Sequence, residues 1–73
     1  MDKPREKEVK VAEIIRAARL KKGMTQEELA NEVGVSRSTI IRVEDARYSP
    51  NAAQLYVILE KLEIPLIIGN EKI

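Results

Sequence analysis

Arg37 and Arg42 stand in the run Ser36-Arg37-Ser38-Thr39-Ile40-Ile41-Arg42-Val43, and no acidic residue lies four positions from either of them. A guanidinium is a planar fork of donors, and it can bind guanine through two hydrogen bonds at O6 and N7. Other chemistry is scarce. The chain has no cysteine and no histidine, which removes disulfides, zinc fingers, thiol chemistry and histidine acid–base catalysis together. Only a carboxylate or lysine site could act catalytically, and no such pair shows convergent spacing. The residues therefore point to binding rather than to an enzyme, with no metal and no cofactor expected.

Elements that could position these arginines are legible around them. From Val11 to Lys22 the apolar residues Val11, Ile14, Ile15, Ala18 and Leu20 recur largely at helical spacing, and Gly23 stops the helix. Thr25 can cap a second helix, and Glu28 completes a capping-box pattern three residues later. Leu29, Ala30 and Val33 share one face of that helix, which Gly34 ends. Ser36 caps a third helix with Ile40, Val43 and Val35 directed inward. Asp45 to Pro50 read as a loop, and Asn51 caps a fourth helix carrying Leu55, Ile58, Leu59 and Leu62 at core spacing. Two short helices joined through Asn31-Glu32-Val33-Gly34-Val35-Ser36 fit a helix-turn-helix, whose second helix can enter a DNA major groove, although many helical hairpins share the bare pattern. Gly34 supplies the positive φ of the turn, and the small Ala30 allows a close crossing.

The run from Ile14 to Ile64 resembles the Cro and phage-repressor family of helix-turn-helix proteins, the XRE type. The resemblance is carried by Arg19, Gly23-Met24-Thr25-Gln26, Leu29-Ala30, Gly34-Val35-Ser36, Ile40, Glu44 and Pro50. It implies an all-α, four- to five-helix repressor-like DNA-binding domain. Arg37, Ser38 and Arg42 fall where this family reads base edges, although Arg42 could instead pair with exposed acids. Ile41 either meets a thymine methyl or packs partly buried. Gln26 sits in the first turn of the second helix, where backbone N–H groups favour a phosphate. The alternative is a plain surface glutamine. Thr39 contacts phosphate or bonds back to its own helix. Arg47 and Asn51 match positions that anchor phosphates, and for Asn51 capping is compatible with that role. Arg19 and Glu44 are expected to form a partly buried ion pair tying the first helix to the end of the third. Two residues depart from the family pattern. Asp45-Ala46 replaces the usual Asn-Gly, so a turn needing positive φ would strain Ala46 and leave the placement of Arg47 open. Val57 is apolar where a polar residue is usual, which hints at a further buried surface.

Seventy-three residues leave room for one domain with a small core built from Ile, Leu and Val, since Phe and Trp are absent and Tyr numbers two. A dimer is the expected remedy for so small a core. Residues 1–10, opening MDKPREKE, read as a flexible charged arm that either keeps the chain soluble or touches phosphates. Residues 11–63 form the DNA-binding domain, and 64–73 a dimerisation strand and tail. Ile64-Pro65-Leu66-Ile67-Ile68 reads as a strand without a partner in its own chain, so pairing across a two-fold axis is expected. Tyr56, Val57, Leu66, Ile67 and Ile68 are the expected dimer interface. The tail is similar to that of antitoxin subunits from persistence-type toxin–antitoxin operons, which also bind a toxin.

The net charge is +1, yet residues 1–23 carry eight basic and four acidic side chains and residues 24–73 five and eight. Affinity for DNA must therefore come from local placement of charge, not from bulk potential. No apolar run approaches the ~20 residues of a membrane span. A cysteine-free chain without an export signal fits a reducing cytoplasm. The resulting expectation is a homodimeric transcriptional regulator, a repressor that reads a palindrome in double-stranded DNA. The alternative is an antitoxin that neutralises a toxin partner and represses its own operon.

Overall fold

A computed structural model of the chain describes residues 5–73. Its elements follow in the order α1 (Glu6–Lys21), α2 (Gln26–Val33), α3 (Arg37–Glu44), α4 (Ala52–Lys61), β1 (Ile67–Ile68) and β2 (Glu71–Lys72). Each short helix begins on a side-chain cap. Thr25 Oγ1 accepts from the Glu28 N–H at 3.0 Å and the Glu28 carboxylate accepts from the Thr25 N–H at 2.9 Å. Ser36 Oγ accepts from the Thr39 N–H at 3.2 Å, and Asn51 Oδ1 from the Gln54 N–H at 2.8 Å. These bonds satisfy amide groups that have no partner within a helix.

All four helices end in the same way. The N–H of Met24, Val35, Arg47 and Ile64 reaches back to the carbonyl of Arg19, Ala30, Arg42 and Leu59, at 3.1, 3.0, 2.8 and 2.9 Å. This reach requires a left-handed residue just before each donor. Glycine fills that position at Gly23 and Gly34, whereas Ala46 (φ 59°) and Glu63 (φ 58°) adopt it with a Cβ. Met24, Val35 and Ile64, immediately after three of these turns, pack against the core. Each turn thus both ends a helix and aims an apolar side chain inward.

The core comprises Ile15, Leu29, Ala30, Ile40, Val43, Ile58 and Leu62, contributed by all four helices and the α4 end. α2 lies against α3 and α4, and α1 against α3. The expected face of α1 is only partly right. Ala12, Ile15 and Arg19 form its buried stripe, while Val11, Ile14 and Leu20 are 38%, 48% and 56% exposed. A surface helix buries one stripe, and the stripe that includes Arg19 is the one turned towards α3.

Two further expectations are corrected. Helix α1 already begins at Glu6, so residues 6–10 belong to it and are not an arm; residues 1–4 lie outside the described residues. Glu6 and Glu8 in its first turn and Arg19 and Lys21 in its last suit the helix dipole. The tail strand does have a partner in its own chain: Ile67 pairs with Lys72 and Ile68 with Glu71, antiparallel. Gly69 (φ 64°) occupies the first position of the two-residue turn, where a positive φ is needed. The Ile73 N–H extends the ladder to the Leu66 carbonyl at 2.7 Å. The polar segment Glu71-Lys72 has little strand character, so the sequence pattern did not offer it as the partner.

The turn geometry gives a direct test. Left-handed Ala46 is strained, so Ala46→Gly should stabilise the fold by about 0.5–1 kcal/mol after the greater freedom of the unfolded chain is subtracted. Gly34→Ala should destabilise it by about 1 kcal/mol, because a Cβ there meets nothing within 4 Å and only the backbone objects. Urea denaturation of the two variants checks both signs.

Candidate nucleic-acid interface

Arg19 and Glu44 meet where α1, α2 and α3 converge. Arg19 Nε donates to Glu44 Oε2 at 2.6 Å and Nη2 to Oε1 at 3.1 Å, with side chains 8% and 2% exposed. Arg19 Nη1 also donates to the Met24 carbonyl at 2.7 Å. Gln26 Nε2 donates to Glu44 Oε1 at 3.1 Å. Both carboxylate oxygens and three guanidinium nitrogens are therefore engaged. Among the described residues no buried side-chain nitrogen or oxygen lacks a partner. A buried charge pair is tolerable only when satisfied in this way. Here it ties the last turn of α1 to the last turn of α3, and Gln26 joins the first turn of α2 to the pair.

The role of Gln26 differs from the expectation in one respect: one of its amide hydrogens is committed to Glu44. The side chain is half-buried and not the free surface glutamine of the bland alternative. Nothing in the sequence signalled this contact, because its partner lies 18 residues away on another helix. Gln26 and Arg37 line one shallow depression between the starts of α2 and α3, so the structure brings these two expected DNA contacts together.

Along α3, Arg37, Ser38 and Arg42 are exposed, whereas Thr39 and Ile41 are half-buried beside the buried Ile40 and Val43. The hydroxyls of Ser36, Ser38 and Thr39 form a small cluster, at 3.2 Å for Ser36–Ser38 and 2.9 Å for Ser36–Thr39. Thr39 thus has a local partner at the helix start. Among the described residues neither Arg37 nor Arg42 makes an ion pair. Arg42 instead lies 5.9 Å from the centroid of the Tyr48 ring.

Beyond α3, Arg47 Nη2 donates to Asp45 Oδ2 at 3.3 Å, with both side chains well exposed. Such a pair is worth little in water and leaves Arg47 free to exchange partners. Asn51 spends its side-chain oxygen on the α4 cap, and the residue is exposed. The loop is also held by contacts that sequence reasoning missed. Arg5 donates to the Ala46 carbonyl, and Ser49 Oγ donates to Glu8 Oε2 at 2.9 Å. Both spans cover 41 residues, beyond any local pattern.

The expected dimer residues lie on α4 and on the hairpin segment. Tyr56, Ile67 and Ile68 are 51%, 61% and 59% exposed, while Val57 and Leu66 are half-buried. Tyr56 and Leu66 line an apolar groove between α4 and the hairpin, together with Leu59, Ile64, Pro65 and Ile73. Val57 does not line this groove.

Glu44 is the residue whose loss should be felt most. Glu44→Ala leaves the Arg19 charge buried without a counter-charge and should cost about 3–5 kcal/mol, enough to abolish cooperative unfolding in a domain this small. Gln26→Ala removes one hydrogen bond of the network and should cost about 1 kcal/mol. Thermal unfolding followed by circular dichroism separates the two.

Comparison with known proteins places this geometry. The helix-turn-helix family model matches residues 15–68. An HTH-type transcriptional regulator of Archaeoglobus fulgidus is 40% identical over 63 residues, covering 81% of this chain and 89% of that protein. A second, from Methanothermobacter thermautotrophicus, is 58% identical over 38 residues, 52% of this chain; the chain spans only 55% of that relative's length. Among solved structures, the restriction-modification controller protein C.AhdI from Aeromonas hydrophila superposes with a TM-score of 0.78 at 27% identity, over 85% of this chain and 90% of that one. The controller protein C.Esp1396I, solved as a tetramer in complex with its natural 35 base-pair operator, gives 0.71 at 36%, over 77% and 74%. A chain of a HipA-HipB-O2-O3 complex gives 0.73 at 26%, over 88% and 90%. With α2, the Gly34 turn and α3 all inside the matched region, the chain belongs to the helix-turn-helix family.

Proposed function

We propose that the chain is a sequence-specific, DNA-binding transcriptional regulator that acts as a repressor, with α3 lying in the major groove. The observation that supports this most is the exposed face of α3. Arg37, Ser38 and Arg42 project from a helix whose other side is locked into the core, and the two arginines carry no acidic partner among the described residues. In this reading Arg37, Ser38, Arg42 and the edge of Ile41 meet bases. Gln26, Thr39, Arg47 and Asn51 face phosphates on either side, and Arg19 and Glu44 serve the scaffold alone. The chain acts by binding, without catalysis, in the cytoplasm.

One recognition helix contacts too few base pairs for useful discrimination, and a two-fold pair separates two such helices by about one DNA turn, ~34 Å. The apolar end formed by Tyr56, Val57, Leu66, Ile67 and Ile68 is the proposed homodimer surface. The operator-bound tetramer of C.Esp1396I supports an oligomer reading an extended site. A second reading, an antitoxin that neutralises a toxin and represses its own operon, is favoured by the likeness to the HipA-HipB-O2-O3 complex. The same exposed hairpin would then serve a toxin as well as a second copy. A toxin encoded beside this chain, whose growth arrest the chain relieves, would decide for it.

Two measurements test the first reading. Arg37→Ala should cost about 1–3 kcal/mol on a site selected from a random DNA pool and relax one base position. Equal loss on random DNA would reduce Arg37 to a phosphate contact. Removal of residues 65–73 should yield a folded monomer, or a weak dimer, with poor affinity for a palindrome. Sedimentation at micromolar concentration reads the mass, and a tight dimer after truncation would move the interface elsewhere.

A further inference from the structure

Tyr48 is one of only two aromatic residues in the chain, and it stands 37% exposed on the loop between α3 and α4. Its phenol donates to Gln54 Oε1 at 2.9 Å. That same oxygen accepts from the Asn51 N–H at 3.3 Å, so the ring is tethered to the cap of α4. The loop that carries it is also pinned by Arg5 on the Ala46 carbonyl and by Ser49 on Glu8. Over this fixed ring sits the Arg42 guanidinium, 5.9 Å from the centroid, inside the range of cation–π attraction.

The chemistry of the pairing is selective. A carboxylate partner would occupy the N–H fork of Arg42, which is the part that reads guanine. An aromatic face attracts the cation while leaving its in-plane donors open. An exposed arginine also loses rotamer freedom on binding, and a ring that restricts it beforehand reduces that loss. We propose that Tyr48 is a positioning residue for base recognition: it holds Arg42 in a reading orientation and so sets the specificity of the base contacted from the C-terminal half of α3. This rests on the proposed reading of α3 as the recognition helix. Tyr48 itself touches no base.

The test is a double-mutant cycle on a duplex selected from a random pool by the wild-type protein, and on duplexes changed at one base pair at a time. Tyr48→Leu should weaken binding to the selected duplex by roughly two- to fivefold, the range of an exposed cation–π pair. It should also relax preference at the position that Arg42→Ala relaxes, and add no further loss in the Arg42→Ala background. Tyr48→Phe keeps the ring and should retain most of the preference. The dependence of binding on salt should stay as in the wild type, since no phosphate contact is lost. Equal loss on every duplex, an additive loss in the Arg42→Ala background, or a Tyr48→Phe variant as weak as Tyr48→Leu would overturn the proposal and make the phenol a phosphate contact. If Arg42→Ala relaxes a position and Tyr48→Leu does not, Tyr48 alone loses its role. If Arg42→Ala relaxes none, the reading of Arg42 fails and the role of Tyr48 falls with it.

Discussion

The fold depends on a charge pair that must stay satisfied. Arg19 and Glu44 lie almost wholly out of water, and the desolvation of two charges is recovered only because every polar atom of the pair finds a partner. Those partners come from four places: α1, the turn after it, the first residue of α2 and the last residue of α3. A satisfied pair therefore admits one relative placement of these elements, since a shift of any of them would strand a buried charge. An apolar core as small as this one supplies attraction but little direction. The ion pair supplies the direction, and it fixes the angle at which α3 presents its outer face.

Helix ends do comparable work at lower cost. Four turns with the same left-handed geometry place Met24, Val35 and Ile64 on the core and leave Arg47 at the surface. Glycine occupies the turns that lead into and out of α2, where the crossing of α2 on α3 is set. Alanine and glutamate occupy the two later turns and carry backbone strain there. The strained turn at Ala46 is the one that carries Arg47 and Tyr48, and its loop is braced by Arg5, just before α1, and by Glu8 of α1. The α1 segment that reads as a charged arm is thus a brace for the surface proposed to meet DNA. Its charged residues serve a helix dipole and a loop carbonyl.

The hairpin raises a different balance. Pairing β1 with β2 inside one chain satisfies the inner ladder, yet two strands of two residues each bury little and leave Ile67 and Ile68 mostly in water. Such a hairpin is marginal alone. Its outer edges still offer unpaired backbone groups, and the groove beside α4 offers apolar surface. An in-chain partner for β1 therefore does not remove the reason for a second copy here; the open edges and the exposed isoleucines remain.

Most of the local design was legible from residues alone. Thr25 with Glu28, Ser36 and Asn51 announce their helices because a cap bond closes within three residues. Gly23 and Gly34 announce helix ends because only glycine enters the left-handed region freely. The inward faces of α2, α3 and α4 follow from apolar spacing, and the family pattern pointed to Arg19 and Glu44. Tertiary structure alone decided the rest. It chose Ala12, Ile15 and Arg19 over Val11, Ile14 and Leu20 as the buried stripe of α1, because the stripe facing α3 is selected by the ion pair and not by hydropathy. It joined Gln26 to Glu44, Arg42 to Tyr48 and Arg5 to Ala46, and it found a strand partner in the polar Glu71-Lys72. Interactions closed within one helical turn are written in neighbouring residues. Those between residues 18 or 41 positions apart exist only once helices have packed at a particular angle, and no local pattern encodes that angle.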